Sequence, residues 1–134
     1  MIRKILLPAA LLLLAACNND KSFKRAEDAQ DAGREFIRAS LDGNYEKASF
    51  YLYPDSTNKI IFARWKSMSE HLLPEEQQKY KDASILPIDV HAVNDSVTSY
   101  TYSNSYKKDT TTILVVRVNK EWLVDLKEIM NHHR

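Results

Sequence analysis

The chain has 134 residues, 19 basic against 18 acidic, a net charge of +1 with histidine neutral, and a single cysteine. That is enough chain for one modest domain. The near-even charge balance supplies no basic patch to neutralise nucleic-acid phosphates and no polybasic surface for anionic lipid, and a lone cysteine leaves no intramolecular disulfide.

Residues 1–17 read MIRKILLPAALLLLAAC. A basic start at Arg3 and Lys4 precedes an apolar run from Ile5 to Leu14, then two small residues and Cys17. The run is much shorter than the ~20 residues a helix needs to cross a bilayer, and its flanks are those of a secretory signal peptide. Leu14-Ala15-Ala16-Cys17 resembles the lipobox of bacterial lipoproteins. The resemblance implies cleavage between Ala16 and Cys17, diacylglycerol on the Cys17 thiol and usually a further acyl chain on the new amine, with no cofactor besides this covalent lipid. Each buried methylene contributes roughly 0.8 kcal/mol, so two or three acyl chains on one residue hold a protein at a membrane without a spanning helix. Asn18 after the cysteine favours the outer over the inner membrane of a bacterial envelope, and residues 17–23 read as a lipidated cysteine with a polar tether.

Removing the first sixteen of 134 residues leaves 118, and the loss of Arg3 and Lys4 takes the basic count from 19 to 17 against 18 acids, a net charge of −1. No repeat, low-complexity stretch or Gly/Ser linker divides the remainder. Residues 24–129 therefore read as one domain and 130–134 as a tail.

From Ala26 to Leu41, Ala29, Ala32, Gly33, Phe36, Ile37, Ser40 and Leu41 form the stripe of an amphipathic helix. Gly33 on that stripe costs helix stability relative to alanine, which suits close packing against another element. Asp42-Gly43-Asn44 breaks the helix, Asn44 caps a short second one carrying Tyr45, Ala48 and Leu52, and Pro54 ends it. Ser56 or Thr57 can cap a third helix with Ile61, Trp65, Met68 and Leu72 on one face and Phe62 beside them. Pro74 can start a further polar turn to Tyr80.

The pattern changes near Ser84. Ile88, Val90 and Ala92 alternate with Asp89, His91 and Val93 as in a half-buried strand, with Pro87 at its entrance or edge and a turn at Asn94-Asp95. In residues 96–105, Thr98, Tyr100 and Tyr102 face opposite to Val97, Ser99, Thr101 and Ser103. Lys107-Lys108-Asp109 turns into the strongly β-forming 110–118, which the aliphatic content makes central. Asn119-Lys120-Glu121 turns again into Trp122, Val124 and Leu126. Helices followed by a four-stranded antiparallel meander define an α+β fold with the helices on one face of the sheet.

Two phrases carry a further resemblance. Ala32 to Ala48 (AGREFIRASLDGNYEKA) and Val115 to Leu126 (VVRVNKEWLVDL) resemble the opening helices and closing hairpin of the nuclear transport factor 2-like, cystatin-like superfamily, across most of residues 24–128. This implies a curved sheet wrapped around the long helix as a cone. The wide end of such a cone sometimes holds an apolar pocket that binds small molecules or hosts isomerase-type catalysis, whereas other members bind proteins or dimerise. Fold alone does not decide among these.

Catalysis of the isomerase kind needs a carboxylate in an apolar cavity beside an oxyanion donor. Asp89, Asp125, Tyr100 and Tyr102 are the strand residues of suitable chemistry. Both acids alternate with the apolar face and read as solvated, and the tyrosines read as cross-strand packing residues. His71 and His91 stand alone, His132-His133 lies in the tail beside Arg134, and no HExxH or i, i+4 ligand pair occurs, so no metal site is expected. Two glycines in the chain leave no phosphate-cradling loop, and no serine sits in a nucleophile elbow. Phe36, Trp65, Met68, Leu72 and Trp122 read as plain core, or alternatively as the lining of a pocket. The expectation is a lipid-anchored, non-enzymatic envelope protein that binds a protein or envelope partner; the rival is a small-molecule-binding or isomerase-like domain. Cys17→Ala should move the protein from the membrane to the soluble fraction of lysed cells, and retention at the membrane would refute the anchor.

Overall fold

A computed structural model describes residues Phe23–Asn131; Ala16, Cys17 and His132 to Arg134 lie outside them. Asp28 is in extended backbone and its carboxylate accepts the Asp31 N–H at 2.7 Å. It thereby satisfies one of the free donors of the first turn, and α1 (Ala29–Leu41) begins at Ala29, the first residue of the apolar stripe. Gly43, at φ 71°, takes the left-handed conformation that ends the helix. Asn44 then caps α2 (Tyr45–Phe50) by accepting from the Lys47 N–H at 3.1 Å.

That second helix stops at Phe50, short of Pro54, because the next residues have another role. The Val124 N–H donates to the Tyr51 carbonyl at 2.7 Å and the Tyr53 N–H to the Val124 carbonyl at 2.8 Å, so Tyr51 to Tyr53 runs parallel along the edge of the last strand. Asp55, rather than Ser56 or Thr57, caps α3 (Ser56–Glu70), accepting from the Asn58 N–H at 2.8 Å. Pro74 opens α4 (Pro74–Asp82), at the position where a missing donor does no harm.

The second half is an antiparallel sheet in the order β1 (Ile85–Asn94), β2 (Val97–Asn104), β3 (Thr111–Val118), β4 (Glu121–Asp125), followed by the short α5 (Lys127–Asn131). β3 is internal, as its aliphatic content suggests. Asn119 and Lys120 both have positive φ, 49° and 65°, the conformation whose twist matches a two-residue hairpin. β1 departs from simple alternation. Its register against β2 shifts between Pro87 and Asp89 and again between Ala92 and Asn94, so Ile88 and Val93 are extra residues at bulges.

The core lies between α1 and one face of the sheet. Phe36 and Ile37 from α1 meet Tyr100, Ile113, Val115 and Val124, all essentially inaccessible. Gly33 sets how close the helix comes: a β-carbon there would stand 3.0 Å from Cδ2 of Tyr100. The ring thus occupies the space any side chain would need.

Asn58, at the start of α3, is the one polar residue with 0 % exposure among the described residues. Its oxygen accepts the Leu126 N–H at 2.7 Å and its amide donates to Asp125 at 3.3 Å. Asp125 also accepts the Lys127 N–H at 3.0 Å, and the Lys127 ammonium bonds Asp55. Asp125 is therefore not a solvated strand acid; its side chain is 13 % exposed and committed to this junction. Lys127, above all through its hydrogen bond, holds the Asp55 carboxyl below the usual carboxylate range. Asp89 does face solvent, with His91 Nδ1 2.6 Å from its carboxylate. Asn58→Ala should lower stability by about 2–3 kcal/mol, because it leaves the Leu126 N–H buried without an acceptor; urea denaturation measures the loss.

Candidate functional site

The C-terminal half of α1 does not end against solid core. Ile37 and Leu41 form one wall of a cleft of about 570 Å³, closed by Trp65, Met68 and Leu72 from α3 and its end, by Gln77, Tyr80 and Lys81 from α4, and by Tyr102, Asn104 and Thr111 from β2 and β3. Its volume falls within the range of small-molecule sites, which are mostly apolar with a few placed polar groups.

Each wall has an identifiable support. Phe36 lies behind Trp65, ring centroids 5.8 Å apart, and also meets Phe62 at 6.0 Å, so α3 leans on α1 through aromatic edges. Arg38 carries α4. Its guanidinium donates to the Ala83 carbonyl at 2.7 Å, the Lys81 carbonyl at 2.9 Å and the Tyr80 carbonyl at 3.5 Å, and is held from the other side by Asp42 at 2.9 Å. Those carbonyls are among the acceptors a helix end leaves unpaired, and a planar fork of donors fits several at once. Gln77 does the same for the end of α3, donating to Ser69 and Leu72 carbonyls at 3.2 and 3.3 Å.

At the floor, burial pushes the Tyr102 phenol well above the ordinary tyrosine range, and the nearby Tyr100 adds to the shift against a hydrogen bond with Thr111. Tyr102 is therefore a neutral hydroxyl under all physiological conditions, able to orient a ligand but not to take its proton. Tyr80 is also raised, chiefly by burial. It packs edge-on against Tyr106, ring centroids 4.9 Å apart. The cleft carboxylates, Asp42, Glu70 and Asp109, are all exposed, and Asp42 is already paired with Arg38. Among the described residues no histidine or cysteine lines the cleft, and no three His, Cys, Asp or Glu side chains group as metal ligands.

Of the five residues read from the sequence as core or pocket lining, Trp65, Met68 and Leu72 share the cleft, and Met68 is 71 % exposed. Phe36 is fully buried behind it. Trp122 lies at the other end of the molecule, half-buried among Arg25, Phe50 and Tyr51 in a crevice of about 30 Å³, with the Arg117 guanidinium 5.7 Å above its ring. Neither tryptophan is fully enclosed core. Tyr102 and Ile37 are cleft residues that a cross-strand and a helical pattern do bring to the inner face, but no local signal places the cleft there. Tyr45 was read only as part of the second helix, and Gln77 and Tyr80 as part of a polar turn, with nothing to mark any of them as cleft residues.

No family model, curated protein or solved structure matches the chain. Among the described residues no helix is long and apolar enough to cross a membrane. Arg38→Lys keeps the charge but loses the fork, and should speed hydrogen–deuterium exchange of residues 74–82 by an amount equivalent to about 1–2 kcal/mol, with α1 and β3 unchanged.

Proposed function

We propose that the chain is a lipid-anchored bacterial envelope protein whose single α+β domain binds, without chemical turnover, a small molecule with an apolar body and a hydrogen-bonding end. The observation that carries the binding reading is the cleft: aromatic and aliphatic side chains interleaved with polar ones such as Gln77, Lys81 and Asn104, the buried Tyr102 phenol, and carboxylates that are all exposed. An isomerase-like reaction would call for a carboxylate at depth, where desolvation raises its basicity, and the cleft residues supply none there. The volume favours a small ligand over the protein partner expected from sequence alone, since protein interfaces are broad surfaces rather than cavities.

The cone of the nuclear transport factor 2-like superfamily is the finer fold reading. Its support is the helix-first order, the long helix laid on the sheet, and a cleft at one end of that helix. The anchor on Cys17 and an outer-membrane address rest on the N-terminal sequence.

The test uses the Cys17→Ala chain, so that no acyl chains take up the probe, and titrates N-phenyl-1-naphthylamine by fluorescence. The expected result is saturable one-site binding that Met68→Glu weakens at least about tenfold, because the new charge must be desolvated beside the ligand. Absence of saturation, or equal binding by the Met68→Glu chain, overturns the proposal.

A further inference from the structure

The two edges of the sheet are treated differently. β4 is covered by Tyr51 to Tyr53 through two backbone hydrogen bonds. No described residue pairs with the outer side of β1, the longest strand at ten residues. Such an edge invites another strand unless something blunts it. Pro87 and the bulges at Ile88 and Val93 blunt the ends of β1, but the stretch Asp89 to Ala92 between them is regular.

The backbone direction of that stretch follows from its neighbours. The Arg117 N–H donates to the Ser96 carbonyl, and the Ser105 N–H donates to the Ser84 carbonyl. Antiparallel strands alternate the side to which successive residues bond. The odd-numbered residues of β2 therefore bond toward β1. Asp89 and His91, opposite Thr101 and Ser99, bond inward, and the peptide groups of Val90 and Ala92 point out at the open edge.

We propose that β1 is a homodimer edge, pairing antiparallel with β1 of a second copy about a two-fold axis at Val90. The N–H and C=O of Val90 then bond their equivalents, and the two sheets become one. Asp89 falls opposite the partner copy's His91, and His91 opposite the partner copy's Asp89, on the same face of the joined sheet. Both side chains are exposed and their hydrogen bond within one strand, 2.6 Å, shows that they suit each other. Cross-strand pairs of this kind stabilise a sheet and like charges in their place oppose it. A register one residue later would set His91 against itself and Asp89 against Val93, matching no charge. Ile88 and Val93, 59 % and 57 % exposed, flank the stretch and give the second copy apolar surface to cover. A two-fold interface needs this kind of self-complementarity, and the cleft stays free, since no residue of β1 lines it.

Sedimentation equilibrium of the full chain, purified in non-ionic detergent, tests the pairing by charge exchange. Asp89→Lys sets lysine against histidine, and His91→Glu sets glutamate against aspartate. Each should weaken dimerisation at least about tenfold, whereas the double variant should return to within about threefold of the original. Both positions are solvent-exposed, so near-ultraviolet circular dichroism should show all three variants folded. A monomeric unmodified chain, single variants that dimerise as before, or a double variant that stays weak would each overturn the proposal.

Discussion

The seat of α1 on the sheet depends on one close approach, the Tyr100 ring against Gly33. Without a side chain at 33, the helix axis drops close enough for Phe36 and Ile37 to reach Ile113 and Val115. Burying each of these side chains contributes about 1.5–3 kcal/mol. An alanine at that position would improve helix propensity by about 1 kcal/mol, so the glycine is retained at a local cost for the packing it permits. The same seat directs the far half of α1: Ile37 and Leu41 become a wall of the cleft, and Arg38 is carried to where α4 ends.

From that seat outward, the domain divides into a part held by apolar packing and a part held by directed polar bonds. Around α1 and β2 to β4 the contacts are aromatic and aliphatic. α3 and α4 bury little: Asn58 is the only buried residue of α3, and α4 has none. Their positions are fixed at a few points, by Asn58 on Asp125 and Leu126, by Arg38 on three carbonyls, and by Phe36 behind Trp65. Two cleft walls therefore rest on hydrogen bonds with geometry rather than on a filled interior, which leaves a cavity where a core would otherwise close.

How much of this was legible follows from what a residue pattern encodes. The α1 stripe, the helix-then-meander order and the central β3 could all be read, because periodicity reports which side of an element is apolar. It does not report what covers that side. Ile61, Trp65, Met68 and Leu72 share a helix face in the sequence, yet Met68 borders open space because α4 stands away from it. Trp122 has the same apolar character and ends at the opposite pole. Asn58 had no signal, since a buried amide depends on partners 67 and 68 positions away. The β1 bulges were equally silent: alternation from Ile88 to Ala92 reads as regular in a row of letters, and only the pairing with β2 shows the extra residue.

The run of Tyr51 to Tyr53 along β4 has a consequence for how the chain must assemble. Leu52 bridges Val124, Asn58 bonds Leu126, and Arg25 pairs with Glu121, 96 positions away. The first-made half thus supplies the clasp, and the last strand supplies what it closes on. A polypeptide emerging amino end first cannot finish its helical half until its final residues arrive. Folding is then an event of the completed chain rather than a progressive one, and such long-range closure is intrinsically slow.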